Sequence, residues 1–256
     1  MPTQLPPARH LEGLRSAMVA FVRYADRAGL AAPVPTCPEW TVRDLVAHQG
    51  MVHRWAAGLL RGDWPLDRDG GAMEAEGRAA EDPFEWLRDG AIDLVETIAR
   101  VPDDVRAPVF LNDAPAPRRF WARRQCHETT LHAVDALSAV FGRRPDPAET
   151  WIDAELAADG IDELLCGFVT RPMSRLRCDE DAVLVVAPDD VPAWWLLRLG
   201  PRPAVTQRGT GPVPEVPDAD WELTGTAVEL YLALWNRSVR PDLGDAWGER
   251  VAVTWS

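Results

Sequence analysis

The pattern of apolar residues changes near residue 146, and this change restricts the fold more than any other feature of the sequence. Before it, apolar residues recur at helical spacing through long segments. After it, short β-prone runs such as AVLVVAP and AWWLLRLG alternate with Pro, Gly and Asp, and one capped helix, TAVELYLALWNRS, follows. The sequence therefore predicts an α+β fold, with a four-helix bundle in residues 1–146 and a smaller α+β domain in residues 147–256.

Four long helices make up the predicted bundle, and a fifth opens the second domain. They are predicted at Ala8–Ala28, Thr41–Leu60, Pro83–Arg100, Arg118–Phe141 and Ala148–Phe168. Thr41 followed by Asp44 is a capping-box pattern that marks the start of the second helix. The glycine-rich stretch RGDWPLDRDGGAMEAEGR is predicted to be a loop. The interior of such a bundle can hold a metal ion between facing helices.

Charge and composition exclude several classes of partner. The 27 basic residues, all arginine, against 40 acidic residues give a formal charge of −13, which repels phosphate backbones and anionic lipids. We therefore expect no nucleic-acid partner. The N-terminus has no apolar signal region and no run is long enough to span a membrane, so a cytoplasmic protein is expected. Four dispersed cysteines without a C-x-x-C pair predict reduced thiols.

The motif HETTLH, within RRQCHETTLHAVD, is one residue longer than the H-E-x-x-H of zinc proteases. His127 and His132 would lie roughly 140° apart around a helix, too far apart to bind one ion. Glu128 and His132 would lie about 40° apart, so both can reach a single cation, and Asp135 follows on the same stripe. The spacing indicates Glu128 and His132 as ligands of a possible metal site, with a surface pair as the alternative.

A third ligand must then come from another helix. The second helix offers His48 and His53, and both fall within its apolar stripe. Helical spacing alone leaves the choice between them open. His10, near the start of the first helix, is a weaker candidate.

Three segments of the sequence resemble the mycothiol-dependent maleylpyruvate isomerase family, a branch of the DinB-like metal-binding helical bundles. They are CPEWTVRDLVAHQGMVHRWA, RRQCHETTLHAVDA and GTAVELYLALWNR. The resemblance implies that His48, Glu128 and His132 bind the metal, whereas His53 does not. It also implies catalytic roles for Asp135 and Arg237. The implied cofactors are Zn²⁺, or another divalent metal, and mycothiol as the thiol.

Two histidines and one carboxylate leave an open metal position, as in catalytic zinc sites. The chemistry implied by the resemblance is that a zinc-bound thiolate adds to an electron-poor double bond, the adduct rotates, and the thiol leaves. Stopping after addition would give an S-transferase, and completing the cycle a cis-trans isomerase. The alternatives are a hydrolase that uses zinc-bound water and a metal-stabilised module without catalysis. The expected partners are a small thiol and an anionic electrophile, with the protein a monomer or weak homodimer.

Two further side chains have alternative interpretations. Asp135 can accept a proton or orient a ligand, or it can be a solvated acid near the helix end. Arg237 can bind a substrate carboxylate through its planar fork, or it can form an interdomain salt bridge. Among the twelve tryptophans, Trp40, Trp121 and Trp235 are expected near a pocket.

Overall fold

The computed structural model of the chain describes residues 5–64, 69–214, 219–239 and 247. Its backbone forms two compact units. The helical unit comprises Pro6–Val109 and Ala114–Pro145, and the C-terminal unit is built from Phe110–Asp113 and the chain from Asp146 onward. Helices and a four-stranded sheet confirm the predicted α+β fold. The domain boundary between residues 146 and 147 stays a prediction.

In its described residues, the helical unit forms five helices and a short hairpin. The helices are α1 (Pro7–Ala28), α2 (Val42–Arg61), α3 (Gly70–Ala79), α4 (Pro83–Arg100) and α5 (Pro117–Phe141), and strands β1 (Pro33–Val34) and β2 (Cys37–Thr41) pair antiparallel. Helix α5 packs along α1 and also contacts α2 and α4. Every residue of α5 from Arg124 to Ser138 is buried, so polar groups on any of its faces are shielded from water.

Helix α2 begins where its sequence predicts. The Thr41 hydroxyl accepts from the Asp44 backbone N–H at 3.4 Å, and the Asp44 carboxylate accepts from the Thr41 N–H at 2.9 Å, which completes a capping box. Because Thr41 also ends β2, the hairpin runs directly into α2. Strand β2 is thereby held close to the first turns of that helix.

The stretch predicted as a loop, residues 61–78, contains nearly all of α3, so that prediction was wrong for residues 70–78. The Asp69 side chain caps the helix by accepting from the Gly71 N–H at 2.8 Å. Gly77 allows α3 to pack closely, because a Cβ there would lie 2.8 Å from the Trp86 ring and 3.1 Å from the Ala47 Cα. Close packing thus compensates for the low helix propensity of glycine.

The C-terminal unit combines one sheet with two helices, α6 (Ala154–Asp162) and α7 (Ala227–Leu234), which pack together. The sheet order is β5-β4-β3-β6, with β3 (Ala182–Pro188), β4 (Ala193–Leu199), β5 (Val205–Thr210) and β6 (Trp221–Gly225). Strand β4 is antiparallel to β3 and β5, whereas β6 is parallel to β3. These strands lie in the segments that the sequence predicted.

The predicted helix at residues 148–168 is divided into three parts. A 3₁₀ turn at Pro147–Glu149 is capped by Asp146, α6 begins only after Asp153 caps it, and a π-helix follows at Glu163–Phe168. Two separate aspartate caps explain why a single helix from residue 148 does not form. Among the described residues, no helix has the length and apolar character needed to cross a membrane.

Candidate metal centre

Three predicted ligands meet in the helical unit. One donor atom from each of His48, Glu128 and His132 lies within 4.8 Å of the others. The Glu128 Oε1 atom is 3.3 Å from Nε2 of His132 and 3.8 Å from Nε2 of His48. Helix α5 supplies the carboxylate and one imidazole from successive turns, and α2 supplies the other imidazole. The structure therefore brings together two nitrogens and one oxygen on facing helices.

The second nitrogen of each imidazole contacts another carboxylate. Nδ1 of His132 is 2.9 Å from Oδ2 of Asp135, and Nδ1 of His48 is 3.4 Å from Oε2 of Glu74. A carboxylate only accepts hydrogen bonds, so Nδ1 must donate in both rings. Each neutral ring then has its lone pair on Nε2, directed toward Glu128. Zinc-binding histidines commonly have this carboxylate support.

Two of the donor atoms have no hydrogen-bond partner among the described residues. They are Nε2 of His48 and Oε1 of Glu128, and both are buried. A buried polar atom without a partner costs free energy, which a bound cation in contact with both atoms would offset. Nitrogen and carboxylate donors suit a zinc ion, so the residues fit a divalent metal.

The Glu128 carboxylate is fixed through its other oxygen. Its Oε2 accepts from Nη2 of Arg124 at 2.8 Å, one turn earlier on α5, and both side chains are buried. Burial favours the neutral acid, but Arg124 and the two histidines outweigh burial and hold the pKa of Glu128 well below its usual range. The side chain is therefore an anion with one oxygen facing the two imidazoles.

The protonation of His48 reflects the same surplus of negative charge. Burial alone would lower the pKa of this imidazole, but the carboxylates of Glu128 and Glu74 outweigh burial and raise the pKa to about 9. Without a metal, His48 is therefore protonated on both ring nitrogens, and positively charged, at neutral pH. The proton on Nε2 occupies the site at which a metal ion would bind.

Asp135 is fully buried, so its interpretation as a solvated acid was wrong. Besides His132, its Oδ2 contacts the Cys37 thiol at 3.6 Å. The hairpin makes a second contact one turn further along α5, where Thr36 Oγ1 and Ser138 Oγ are 3.0 Å apart. The β1–β2 hairpin is thereby joined to the part of α5 that carries the carboxylate.

Trp40 lies against both histidines of the centre, whereas its predicted place near a pocket stays a prediction. Its ring centroid is 4.8 Å from that of His48 and 6.0 Å from that of His132. Trp121 instead packs in the core, with its ring 5.1 Å from Trp55. Trp235 belongs to the C-terminal unit and donates to the Gly160 carbonyl at 3.1 Å. Only the first of these three indoles contacts the candidate ligands in the described contacts.

His53 lies outside the ligand cluster and has other partners. Its Nε2 is 2.8 Å from Nε2 of Gln49 and 2.9 Å from Oγ1 of Thr129. Burial, with a smaller contribution from Arg54, lowers its pKa to about 3, so the ring is neutral. His127 contacts the ring of His10 at a centroid distance of 6.2 Å and is not part of the cluster either.

Arg237 lies in the C-terminal unit, immediately after α7. The helix ends in a Schellman motif, with Asn236 at a φ of 63° and the Arg237 N–H bonded to the Leu232 carbonyl at 2.6 Å. Nη1 of Arg237 donates to the Trp235 carbonyl at 2.8 Å. The motif fixes the backbone from which the guanidinium extends, and the catalytic role of Arg237 stays a prediction.

Sequence reasoning missed three side chains of the centre. Glu74 fell in the supposed loop, and Cys37 gave no pattern of its own. Arg124 did leave a signal, because an Arg four residues before Glu128 is a recognisable helical ion pair.

The comparisons with known proteins cover both units. Residues 11–137 match the family model described as the mycothiol maleylpyruvate isomerase N-terminal domain, and residues 155–254 match that of the MDMPI C-terminal domain. No curated protein matches the chain.

Two solved structures share the fold. A crystal structure of the mycothiol-dependent maleylpyruvate isomerase aligns with a TM-score of 0.58 at 14% identity, covering 93% of each chain. A histidine-to-alanine mutant of that enzyme aligns with a TM-score of 0.59 at 13% identity, covering 94% of this chain and 99% of the other. At 13–14% identity, these alignments show a shared fold and nothing more specific. Since the two family models together match most of the sequence, the chain belongs to the mycothiol-dependent maleylpyruvate isomerase family.

Proposed function

We propose that this protein is a zinc-dependent isomerase or S-transferase that uses a low-molecular-weight thiol, mycothiol in the first instance, on an anionic electrophile. The observation that carries the proposal is the convergence of His48 Nε2, His132 Nε2 and Glu128 Oε1, two of which lack any other partner in the described structure. Membership of a thiol-dependent isomerase family supports the same chemistry.

In this proposal His48, Glu128 and His132 hold the metal, and a further position stays open for an exogenous ligand. Three protein ligands with one open position are typical of catalytic zinc, whereas structural zinc has four protein ligands. Zinc bound there would lower the pKa of an incoming thiol, so that thiolate, the reactive nucleophile, is present at neutral pH.

The thiol reaction that we propose balances without an external oxidant or reductant. The thiolate sulfur forms a C–S bond with one carbon of an electron-poor double bond, and the π electrons move toward the activating carbonyl group. The former double bond is then a single bond and rotates. Return of the electron pair restores the double bond and expels the thiolate, which gives the geometric isomer. If the carbon takes up a proton first, the thioether remains and the reaction is an S-transfer.

Asp135 acts in this proposal as a positioning residue for His132. Its Oδ2 already accepts from Nδ1 of His132 and contacts the Cys37 thiol, which favours orientation of the imidazole over capture of a substrate proton. Trp40 covers the two imidazoles on one side and limits the access of water there.

Arg237 is proposed to bind the carboxylate of the electrophile through its guanidinium fork. The support comes from its match to the family segment GTAVELYLALWNR and from the Schellman motif that fixes its backbone. A fixed backbone reduces the entropy lost when the side chain binds an anion.

A turnover assay tests the proposal. Zinc-loaded protein is incubated with a panel of thiols and cis-configured unsaturated acids, while thiol consumption and the cis-to-trans ratio are followed. We expect thiol-dependent isomerisation, or thioether formation, that disappears when the zinc is removed. Zinc-dependent cleavage of esters or amides without any need for thiol would overturn the proposal in favour of a hydrolase.

A further inference from the structure

Helix α3 carries a side chain that contacts the metal centre without belonging to its donor set. Oε2 of Glu74 lies 3.4 Å from Nδ1 of His48, on the side of the ring opposite the donor nitrogen. The Glu74 side chain is only 15% exposed. The carboxylate of Glu74 therefore accepts the Nδ1 proton of His48.

Glu74 is itself held in place by an arginine. Nη2 of Arg78, one turn later on α3, donates to Oε1 of Glu74, while Nε of Arg78 donates to Oδ1 of Asp44 at 2.8 Å. Asp44 also forms the capping box at the start of α2. A continuous series of charged contacts thus runs from the first turn of α2, through α3, and back to His48 one turn further along α2.

The geometry has a chemical consequence for the imidazole. A neutral histidine has two tautomers, and only the one with the proton on Nδ1 presents a lone pair at Nε2. A carboxylate on Nδ1 favours that tautomer and also restricts rotation of the ring. In the described contacts, the acceptor for the Nδ1 proton of His48 is Glu74, which lies on α3 and not on α2.

We propose that Glu74 is the positioning residue of His48, and that Arg78 fixes Glu74 by joining it to Asp44. This inference rests on the proposed role of His48 as a metal ligand. It gives the two histidines of the centre matching supports of different origin: Asp135 lies on the same helix as its imidazole, whereas Glu74 reaches His48 from α3. Correct orientation of His48 therefore depends on the packing of α3 against α2.

A pair of nearly isosteric variants tests the inference. Glu74→Gln keeps an oxygen that can accept the Nδ1 proton, whereas Glu74→Met keeps the length and helix propensity but has no comparable acceptor. Glu76→Met, on the exposed side of the same helix, is the matched control. Zinc affinity is measured by competition with a chromophoric chelator, and the His48 tautomer by ¹⁵N NMR of the metal-free protein, at a pH where the ring is neutral.

We expect Glu74→Met to lose about 10–100-fold in zinc affinity, the usual range for partners of a ligating histidine. Glu74→Gln should recover most of that loss, and Glu76→Met should bind zinc like the parent protein. In the metal-free protein, Glu74→Met should shift the His48 proton from Nδ1 toward Nε2. A general packing role for Glu74 would give no such shift and no rescue by glutamine.

The inference is overturned if the His48 tautomer is the same in Glu74→Met as in the parent protein. If Glu74→Met does not fold, Glu74→Ala gives the same test, because it also lacks an acceptor for the Nδ1 proton, and an unchanged His48 tautomer in Glu74→Ala would reject the inference. The metal-free tautomer separates this outcome from failure of the proposed function, which is shown instead by a parent protein that binds no zinc.

Discussion

His132 donates its Nδ1 proton to the fully buried carboxylate of Asp135 at 2.9 Å, so its other nitrogen is turned toward Glu128. His132 and Asp135 are one turn apart on α5, so the proposed ligand and the carboxylate that orients it lie on the same helix. A site built on a helix in this way varies little in geometry, because both side chains share one backbone.

The first prediction concerns metal content. One divalent ion per chain is expected, and His48→Ala and His132→Ala should each lose most of it while staying folded, because each removes one of three ligands. Elemental analysis with circular dichroism measures both quantities. His53→Ala is the matched buried-histidine control and should keep its metal. Full metal in both ligand variants would refute the ligand assignment.

The control variant His53→Ala should be less stable than the parent protein. Removing His53 takes one buried hydrogen-bond partner from each of Gln49 and Thr129, which still bond to each other, and this costs about 1–3 kcal/mol of unfolding free energy. Denaturant unfolding of the metal-free protein measures this loss. His53→Ala should therefore lose stability but keep its metal. If His53 were a metal ligand, the variant would lose metal as well.

A second prediction concerns Asp135. Asp135→Ala removes the acceptor of the His132 proton and should weaken zinc binding by about 10–100-fold. Asp135→Asn can still accept through Oδ1 and should lose less. Chelator competition gives both affinities. If Asp135→Asn abolishes turnover while keeping parental zinc affinity, Asp135 acts as a base and not through His132.

The proposed ligand pair on α5 was accessible from sequence because its proximity depends only on helix geometry. Glu128 and His132 are four residues apart, and any helix brings such residues to one side. The capping box of Thr41 and Asp44 was accessible for the same reason, since both of its partners are local.

The proposed third ligand, His48, could not be derived in this way. His48 and His53 are both buried on α2, and helical spacing reports burial but not which atoms a side chain meets. What distinguishes them is tertiary: Thr129 on α5 engages Nε2 of His53, while Nε2 of His48 faces Glu128 without a hydrogen bond. Glu74 was missed because Gly70, Gly71 and Gly77 gave its segment the composition of a loop.

A third prediction is the pH dependence of zinc affinity. The raised pKa of His48, about 9 in the metal-free protein, means that zinc must displace a proton below that pH. Zinc affinity should therefore rise by about tenfold per pH unit up to roughly pH 9 and then level off. Chelator competition across this range measures the slope. A flat profile between pH 7 and 9 would show that His48 is neutral without metal.

The same shift affects the stability of the metal-free protein. Because folding raises the pKa of His48 above the ordinary histidine value of 6.5, the protonated ring stabilises the metal-free fold fully below about pH 6.5. That contribution is lost as the pH rises through about 9. Thermal unfolding of the chelator-treated protein should show this decline, and His48→Ala should lack it.

A fourth prediction concerns Arg237. Arg237→Lys keeps the positive charge but removes the planar fork, so a bidentate grip on a carboxylate predicts a clear rise in KM for the electrophile. Zinc content and thermal stability should stay near those of the parent protein. If Arg237→Lys and Arg237→Met both keep full activity and stability, neither the grip nor an interdomain salt bridge is correct.

The last prediction concerns the thiol, because it separates the isomerase or transferase from a hydrolase and from an inert module. A free thiol has a pKa of about 8.5 and is mostly protonated at neutral pH, so its capture as a thiolate by zinc must release a proton. Calorimetry in buffers of different ionisation enthalpy measures that proton. Mycothiol, or a truncated analogue that keeps its cysteine, should bind the zinc form with proton release and the metal-free form far more weakly.

Cobalt substitution gives an independent measurement of the same contact. Thiol added to the cobalt protein should produce a new sulfur-to-metal absorption band, since a coordinated thiolate transfers charge to the ion. His132→Ala, which lacks one ligand, should give a weaker band, and His53→Ala should give the parental one. If the cobalt protein shows no such band, and the zinc protein takes up no thiol while it still cleaves an ester or amide, the open position binds water and the thiol mechanism is wrong.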